Sequence, residues 1–256
     1  MRSFFRGLDK FVSRSFFRKL YRRYLLPIEL SKFRIRLELS NSFVVSFSDK
    51  SKSTLNEACD NYNTDKGSIF PEQSDHAYAD IYDLLLGIGR VHIRNVFECG
   101  IGSNNEDIPG FMGKNASPGA SLKVWRDFFP SAHIWGADID NRVLFEDERI
   151  STGYLNQLDK SSIENFWQIA SKHGEVQFDV MIDDGLHTVD AAINLFLHSV
   201  KYLRKDGYYF IEDLSYDQIQ LFTTKIQKLP FCYHVFSSTA FTRGLIPGSL
   251  LLIRHK

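Results

Sequence analysis

Carboxylates close two apolar runs of this chain. Phe178-Asp179-Val180-Met181-Ile182 leads into Asp183, Asp184, Gly185, Leu186 and His187, and Gly207-Tyr208-Tyr209-Phe210-Ile211 leads into Glu212 and Asp213. Each reads as a buried strand ending in acids, with one helix-length segment between them. Asp184, Glu212, Asp213 and His187 can therefore meet at one edge of a sheet. Three carboxylates offer the hard oxygen ligands that Mg²⁺ prefers and leave positions open for the oxygens of a substrate. A divalent ion held there lowers the pKa of a bound hydroxyl and fixes its direction. His187 stands three residues beyond Asp184, at the expected start of the next helix, and can take a proton near neutral pH. The same carboxylates also suit caps of the helices that follow, and Asp183 suits the amino group of a cofactor.

A second constellation lies upstream. Asn95-Val96-Phe97-Glu98-Cys99-Gly100-Ile101-Gly102 is a strand running into a glycine turn, where a ligand can approach the backbone without meeting a Cβ. The next strand ends in Gly136-Ala137-Asp138, and an acid at that point can accept both hydroxyls of a ribose. A dinucleotide fits poorly. Asn105 stands where the third glycine of that fingerprint belongs, and residues 103–118 separate the turn from its helix, so no helix N-terminus faces a pyrophosphate. A cofactor with a ribose and no phosphate fits better, and S-adenosylmethionine is one.

The elements that must position these residues alternate from residue 94 onward. Strands are expected at 95–99, 133–138, 149–154, 177–183 and 207–212, and helices at 119–129, 160–172, 188–203 and 215–228. That pattern gives an α/β fold with a parallel sheet covered on both faces. Tyr233–Phe236 and Ser249–Ile253 follow with no helix between them, so an antiparallel pair closes the sheet around a 243–248 loop. Upstream, helices are expected from Leu55 to Tyr62 and through Tyr78, Ile81, Tyr82, Leu85 and Leu86. Between them, the polar Thr64-Asp65-Lys66-Gly67 turn, with Tyr78 or Tyr82, is expected over the cofactor or the acceptor. The alternative is a surface loop and a core aromatic pair. Phe43–Phe47 reads as a short strand and 48–54 as a linker.

Net charge is zero, but residues 1–40 carry +8 and the remainder −8. Phe4, Leu8, Phe11, Val12, Phe16, Leu20 and Tyr24 share one face of a helix over 4–25, and Arg6, Lys10, Arg14, Arg18 and Arg22 form a stripe along another. Such a helix can lie on an anionic membrane surface, or pack on its own domain or on a second copy of the chain. The chain thus divides into a basic extension, 1–54, and a domain, 55–256. Cys59, Cys99 and Cys232 form neither a disulfide framework nor a zinc pattern, which points to a reducing compartment. No apolar run is long enough to span a bilayer. A cytoplasmic protein, peripheral at the inner face of the membrane, is expected, with no nucleic-acid partner.

Taken together, Thr64-Asp65-Lys66-Gly67, Phe97–Gly102, Gly119-Ala120-Ser121-Leu122, Gly136-Ala137-Asp138-Ile139, Ile182–His187 and Ile211-Glu212-Asp213-Leu214 resemble, in order and spacing, the class I S-adenosylmethionine-dependent methyltransferases. The resemblance is closest to the metal-dependent sugar O-methyltransferases of the mycinamicin macrolide type, and it covers residues 60–256. It implies a Rossmann-like fold with a mostly parallel seven-stranded sheet, helices on both faces and an antiparallel last strand. It implies that Glu98, Gly100, Gly102, Ser121, Asp138 and Asp183 bind the cofactor, with Asn156 and Gln157 on the adenine side in place of the family's acid. Asp184, Glu212 and Asp213 would hold Mg²⁺, and His187 would be the general base. The implied reaction is methylation of a sugar hydroxyl on a polysaccharide, glycolipid or glycosylated metabolite. A phosphorylated small molecule or a phenol as acceptor, or a non-catalytic membrane-associated scaffold, are the alternatives. The insert at 103–118 is particular to this chain and is expected to shape the acceptor pocket.

Overall fold

The computed structural model describes residues 42–45, 53–67, 78–114, 116–173, 177–238 and 249–256. The expected 4–25 helix, residues 48–52 of the linker and the 243–248 loop lie outside the described residues. Val44–Lys256 forms one compact unit. A first strand, β1, is Ser42–Val45.

Two helices precede the main sheet: α1 (Thr54–Tyr62) and α2 (Tyr78–Leu86). The side chain of Ser53 caps α1 by accepting from Asn56 N, and Asn63 ends it in the left-handed conformation at φ 56°. Then follow β2 (Asn95–Cys99), α3 (Ala120–Phe128), β3 (His133–Asp138), β4 (Glu146–Asp147) and β5 (Ile150–Tyr154). After these come α4 (Lys160–Ala170), β6 (Phe178–Asp183), α5 (Val189–Ser199), β7 (Leu203–Glu212) and α6 (Tyr216–Ile226). The chain closes with β8 (Phe231–Ser238) and β9 (Ser249–His255).

From β2 onward the strands lie in the order β8-β9-β7-β6-β2-β3-β5-β4. β5, β3, β2, β6 and β7 run parallel, and β9 is antiparallel to both β7 and β8. The mostly parallel sheet with a final antiparallel strand is therefore as expected. One strand, β4, was not: it is two residues long and antiparallel to β5. β2 pairs with β3 on one side and with β6 on the other. The chain winds outward from β2 in one direction and then returns to wind in the other. A crevice opens beyond the carboxyl ends of the strands at such a reversal.

Strand alternation sorts the side chains between two helical layers. Val96, Ile134, Val180, Ile182, Phe210 and Leu252 face Leu55, Tyr82, Trp125 and Phe128 of α1, α2 and α3 in one apolar core. On the opposite face Phe97 packs against Phe166 and Trp167 of α4, and Tyr209 against Phe196 of α5. Phe196 in turn meets Phe222 of α6. Each large side chain so buried stabilises the fold by roughly 1.5–3 kcal/mol. The same alternation puts Glu98, two residues beyond Val96, on the α1–α3 face. Asp184 and Glu212 follow Ile182 and Phe210 at the same interval.

Candidate active site

Register decides which strand ends are neighbours. Cys99 pairs with Asp183, and Asp183 pairs with Ile211. One step further, Gly100, Asp184 and Glu212 stand abreast at the edge of the crevice, and Asp184 N donates to Cys99 O at 2.8 Å. The two acidic clusters and the glycine turn are thus brought to one place.

The centre of that place is a lysine. Lys66 is almost wholly buried, at 3% exposure, and so is Glu212, at 2%. Its Nζ lies 2.5 Å from Asp184 Oδ2, 2.8 Å from Glu212 Oε2 and 3.5 Å from Glu98 Oε1. Burial pulls the lysine's pKa down, but Asp184, Glu212 and Glu98 together hold it well above its ordinary value, so it is an ammonium. Tyr82 donates to Glu212 Oε1 at 2.7 Å, and Tyr78 donates to Asp213 Oδ1 and to Ser249 O. Burial, reinforced by the neighbouring carboxylates, pushes both phenols up, which keeps them donors. The four-residue spacing of Tyr78 and Tyr82 places both on one face of α2. The Thr64–Gly67 turn is therefore an interior element and not a surface loop.

The outer part of the edge is more open. Ligand atoms of Asp184, His187 and Asp213 lie within 4.8 Å of one another. His187 Nε2 is 4.0 Å from Asp184 Oδ1. His187 is not in a helical first turn as expected, because α5 opens at Val189 behind a Thr188 cap. It stands in the connecting loop at φ 53°, and Asp213 adopts φ 61°. Left-handed backbone at residues other than glycine stores strain and concentrates at functional sites. Gln218, in the capping box that opens α6, donates from Nε2 to His187 O at 2.9 Å and fixes the loop. Of the expected metal trio, Asp184 and Asp213 face this cluster, while both oxygens of Glu212 are taken by Lys66 and Tyr82.

On the glycine side, Gly100 and Gly102 have φ of 88° and 84°. Asp138 is buried at the end of β3, its oxygens accepting from Ile101 N and Asp140 N at 2.9 Å each. Glu98 and Ser121 bond to each other at 2.6 Å, and Trp125 Nε1 also donates to Glu98, so this pair lies in the floor behind the turn. Burial, opposed by Lys66, pushes the Glu98 carboxyl up to about 7. Asp183 points to the other face, where Gln157 Nε2 donates to its Oδ1 at 2.6 Å. Its Oδ2 is buried with no hydrogen-bond partner. Burial, eased first by Gln157, pushes Asp183 up to about 6. Gln157 Oε1 also accepts from Leu186 N, and Asn156 Oδ1 turns back to Leu158 N. Gln157 is thus engaged within the protein through both atoms of its amide, and Asn156 through its oxygen.

The insert folds back over the glycine turn. Met112 N donates to Ser103 O at 2.9 Å, and the Met112 sulfur would lie 2.3 Å from a Cβ placed on Gly102. Ser103 and Asn105 donate to Asp140, which Arg142 clamps. Sequence reasoning missed Lys66 as a member of the site. Its signals were a turn expected over the cofactor or the acceptor and the family resemblance that includes that turn.

No family model matches the chain. It is 28% identical over 186 residues to demethylmacrocin O-methyltransferase of Streptomyces fradiae, covering 72% of this chain and 42% of that protein. It is 35% identical over 96 residues to mycinamicin VI 2''-O-methyltransferase of Micromonospora griseorubida, covering 38% of this chain and 23% of that one. Among solved structures it matches MycE methyltransferase from the mycinamycin biosynthetic pathway, in complex with Mg, SAH and mycinamycin VI, at a TM-score of 0.50 and 25% identity. That match covers 80% of this chain and 48% of MycE. The chain spans less than half the length of each of these relatives. It has the methyltransferase fold, and the relatives it matches in sequence are named O-methyltransferases, three of them of rhamnosyl-tetracenomycin or olivosyl-oleandolide compounds.

Proposed function

We propose that this chain transfers a methyl group from S-adenosylmethionine to a sugar hydroxyl of a glycosylated metabolite, with Mg²⁺ at the acidic edge. The observation that carries the reading is the row Gly100, Asp184 and Glu212, which sets a cofactor turn beside a carboxylate cluster. The residues fit both groups. Asp183 Oδ2 is a buried carboxylate oxygen without a partner, suited to an ammonium, and the positive φ of Gly100 and Gly102 turns the chain sharply at the end of β2, beside Asp138. Asp184, His187 and Asp213 converge closely enough to share an ion. The relatives support the acceptor class, since the names of several specify a rhamnosyl or olivosyl group on a larger scaffold.

When bound, S-adenosylmethionine supplies an electrophilic methyl carbon and Mg²⁺ acidifies and orients a sugar hydroxyl. The protein does the rest. Gly100 and Gly102 would form the turn beside the cofactor, Asp138 would receive its ribose hydroxyls and Asp183 its amino group. Glu98 and Ser121 brace the turn from behind. Asn156 and Gln157 shape the adenine side through the loop they hold. Asp184, Asp213 and Glu212 would hold the ion, which would compete with Lys66 for Glu212. His187 Nε2 would take the proton of the acceptor hydroxyl during transfer. Transfer of labelled methyl to a panel of sugar-bearing polyketides, with Mg²⁺ or with chelator, tests this. Labelled product that depends on Mg²⁺ supports the reading, and labelling of phenols or phosphorylated metabolites alone refutes it.

The basic stripe through Arg6, Lys10, Arg14, Arg18 and Arg22 supports a further part of the proposal, docking of residues 4–25 on an anionic membrane surface at its cytoplasmic face. Among the described residues no helix is long and apolar enough to cross a membrane. Deleting residues 1–30 should release the protein from anionic liposomes, and unchanged binding would rule the docking out.

A further inference from the structure

Lys66 is fixed at its root and has two places for its charge. Thr64 N donates to Cys59 O at the end of α1, and Ala79 N donates to Lys66 O at the start of α2. The backbone is pinned between two helices, so movement is left to the side chain. The ammonium now bonds Asp184 and Glu212. At 3.5 Å on a third side lies Glu98 Oε1, a buried oxygen with no hydrogen-bond partner. The other oxygen of Glu98 is held by Ser121 and Trp125, so the carboxylate is aimed. A displacement of about 1 Å brings Nζ to full hydrogen-bond distance from it.

Two cations cannot share the same carboxylate oxygens in a water-poor site without strong repulsion. A divalent ion that takes Asp184 together with Glu212 must move the lysine. The geometry points to a hand-off in which Lys66 neutralises Asp184 and Glu212 until a divalent ion enters, and then passes to Glu98 Oε1. This rests on the reading of the acidic edge as a metal site, and goes beyond it by giving the ion a resident competitor. Lys66 is on this account a positioning residue. Glu98 ends β2 just before Gly100, so the hand-off also links the ion to the cofactor turn.

Isothermal titration of Mg²⁺ into the full chain tests it, using the wild type, Lys66→Met, Glu98→Gln and the double variant. Lys66→Met should tighten Mg²⁺ binding about tenfold, because nothing has to be displaced. Glu98→Gln should weaken it about tenfold while Lys66 is present, and should have little effect once Lys66 is gone. Unchanged or weaker binding in Lys66→Met, or additive effects in the double variant, overturns the hand-off. Should Lys66→Met not fold, Glu98→Gln decides alone, and unchanged affinity there overturns it. A wild type that binds no divalent ion refutes the metal site itself, which is a different failure.

Discussion

Gly100 touches Asp184 so closely that a Cβ at Gly100 would lie 2.1 Å from the Asp184 carbonyl oxygen. The cofactor turn and the acidic edge are therefore one packed unit, held also by the bond from Asp184 N to Cys99 O. Gly100→Ala should cost about 2–3 kcal/mol, from the clash and the positive φ together. It should also weaken S-adenosylmethionine binding. A melting curve and a titration measure the two effects, and a variant as stable as the wild type contradicts the packing.

Asp184 faces both Lys66 and the His187–Asp213 cluster. Asp184→Ala should abolish the metal dependence and turnover while leaving cofactor affinity largely intact, because Gly102, Asp138 and Asp183 do not rely on its carboxylate. Initial rates across a Mg²⁺ series check this beside the cofactor titration. Loss of cofactor binding in a folded variant would show that the edge is not divided in this way.

His187 has two roles open to it, base and ligand. As the base, His187→Gln should lower kcat by about 10²–10⁴ with Mg²⁺ affinity kept. If metal affinity falls in step with kcat, the imidazole is a ligand and the proton goes elsewhere.

Asp183 gives a pH signature. Burial pushes its carboxyl up to about 6, so the folded chain keeps a proton that the unfolded chain releases near its ordinary value. The stability that this group contributes is full at low pH and is lost as pH rises through about 6. An ammonium beside Oδ2 favours the ionised form. S-adenosylmethionine should therefore bind several-fold more weakly at pH 5 than at pH 7.5, and Asp183→Asn should flatten the profile. Equal affinity at the two pH values in the wild type would remove Asp183 from the cofactor site.

The sheet was legible where apolar runs end abruptly. β2 and β3 coincide with the expected spans, because glycine or acid follows each run at once. β7 begins at Leu203 and not at 207, since Arg204, Lys205 and Asp206 form an exposed stretch where the pairing with β6 shifts register, which hydrophobic pattern cannot detect. Two-residue β4 carries no pattern at all. The acids of the site were legible for the same reason as the strands they end. Lys66 was not, because its place depends on a turn meeting strand ends 32, 118 and 146 residues further along the chain. Alternation along a strand shows which face an acid takes but not which distant side chain meets it there. Asn156 and Gln157 were placed on the adenine side from sequence, and pattern could not show that Asn156 Oδ1 bonds locally to Leu158 N or that Gln157 reaches Asp183 and Leu186.

The central claim is that a methyl donor and a divalent ion share one edge of this sheet. Titration of S-adenosylmethionine into the full chain, with Mg²⁺ and then with chelator, tests it most directly. The account predicts one-to-one cofactor binding under both conditions and a separate Mg²⁺ heat that Asp184→Ala removes. Absence of cofactor binding in the folded wild type would contradict it.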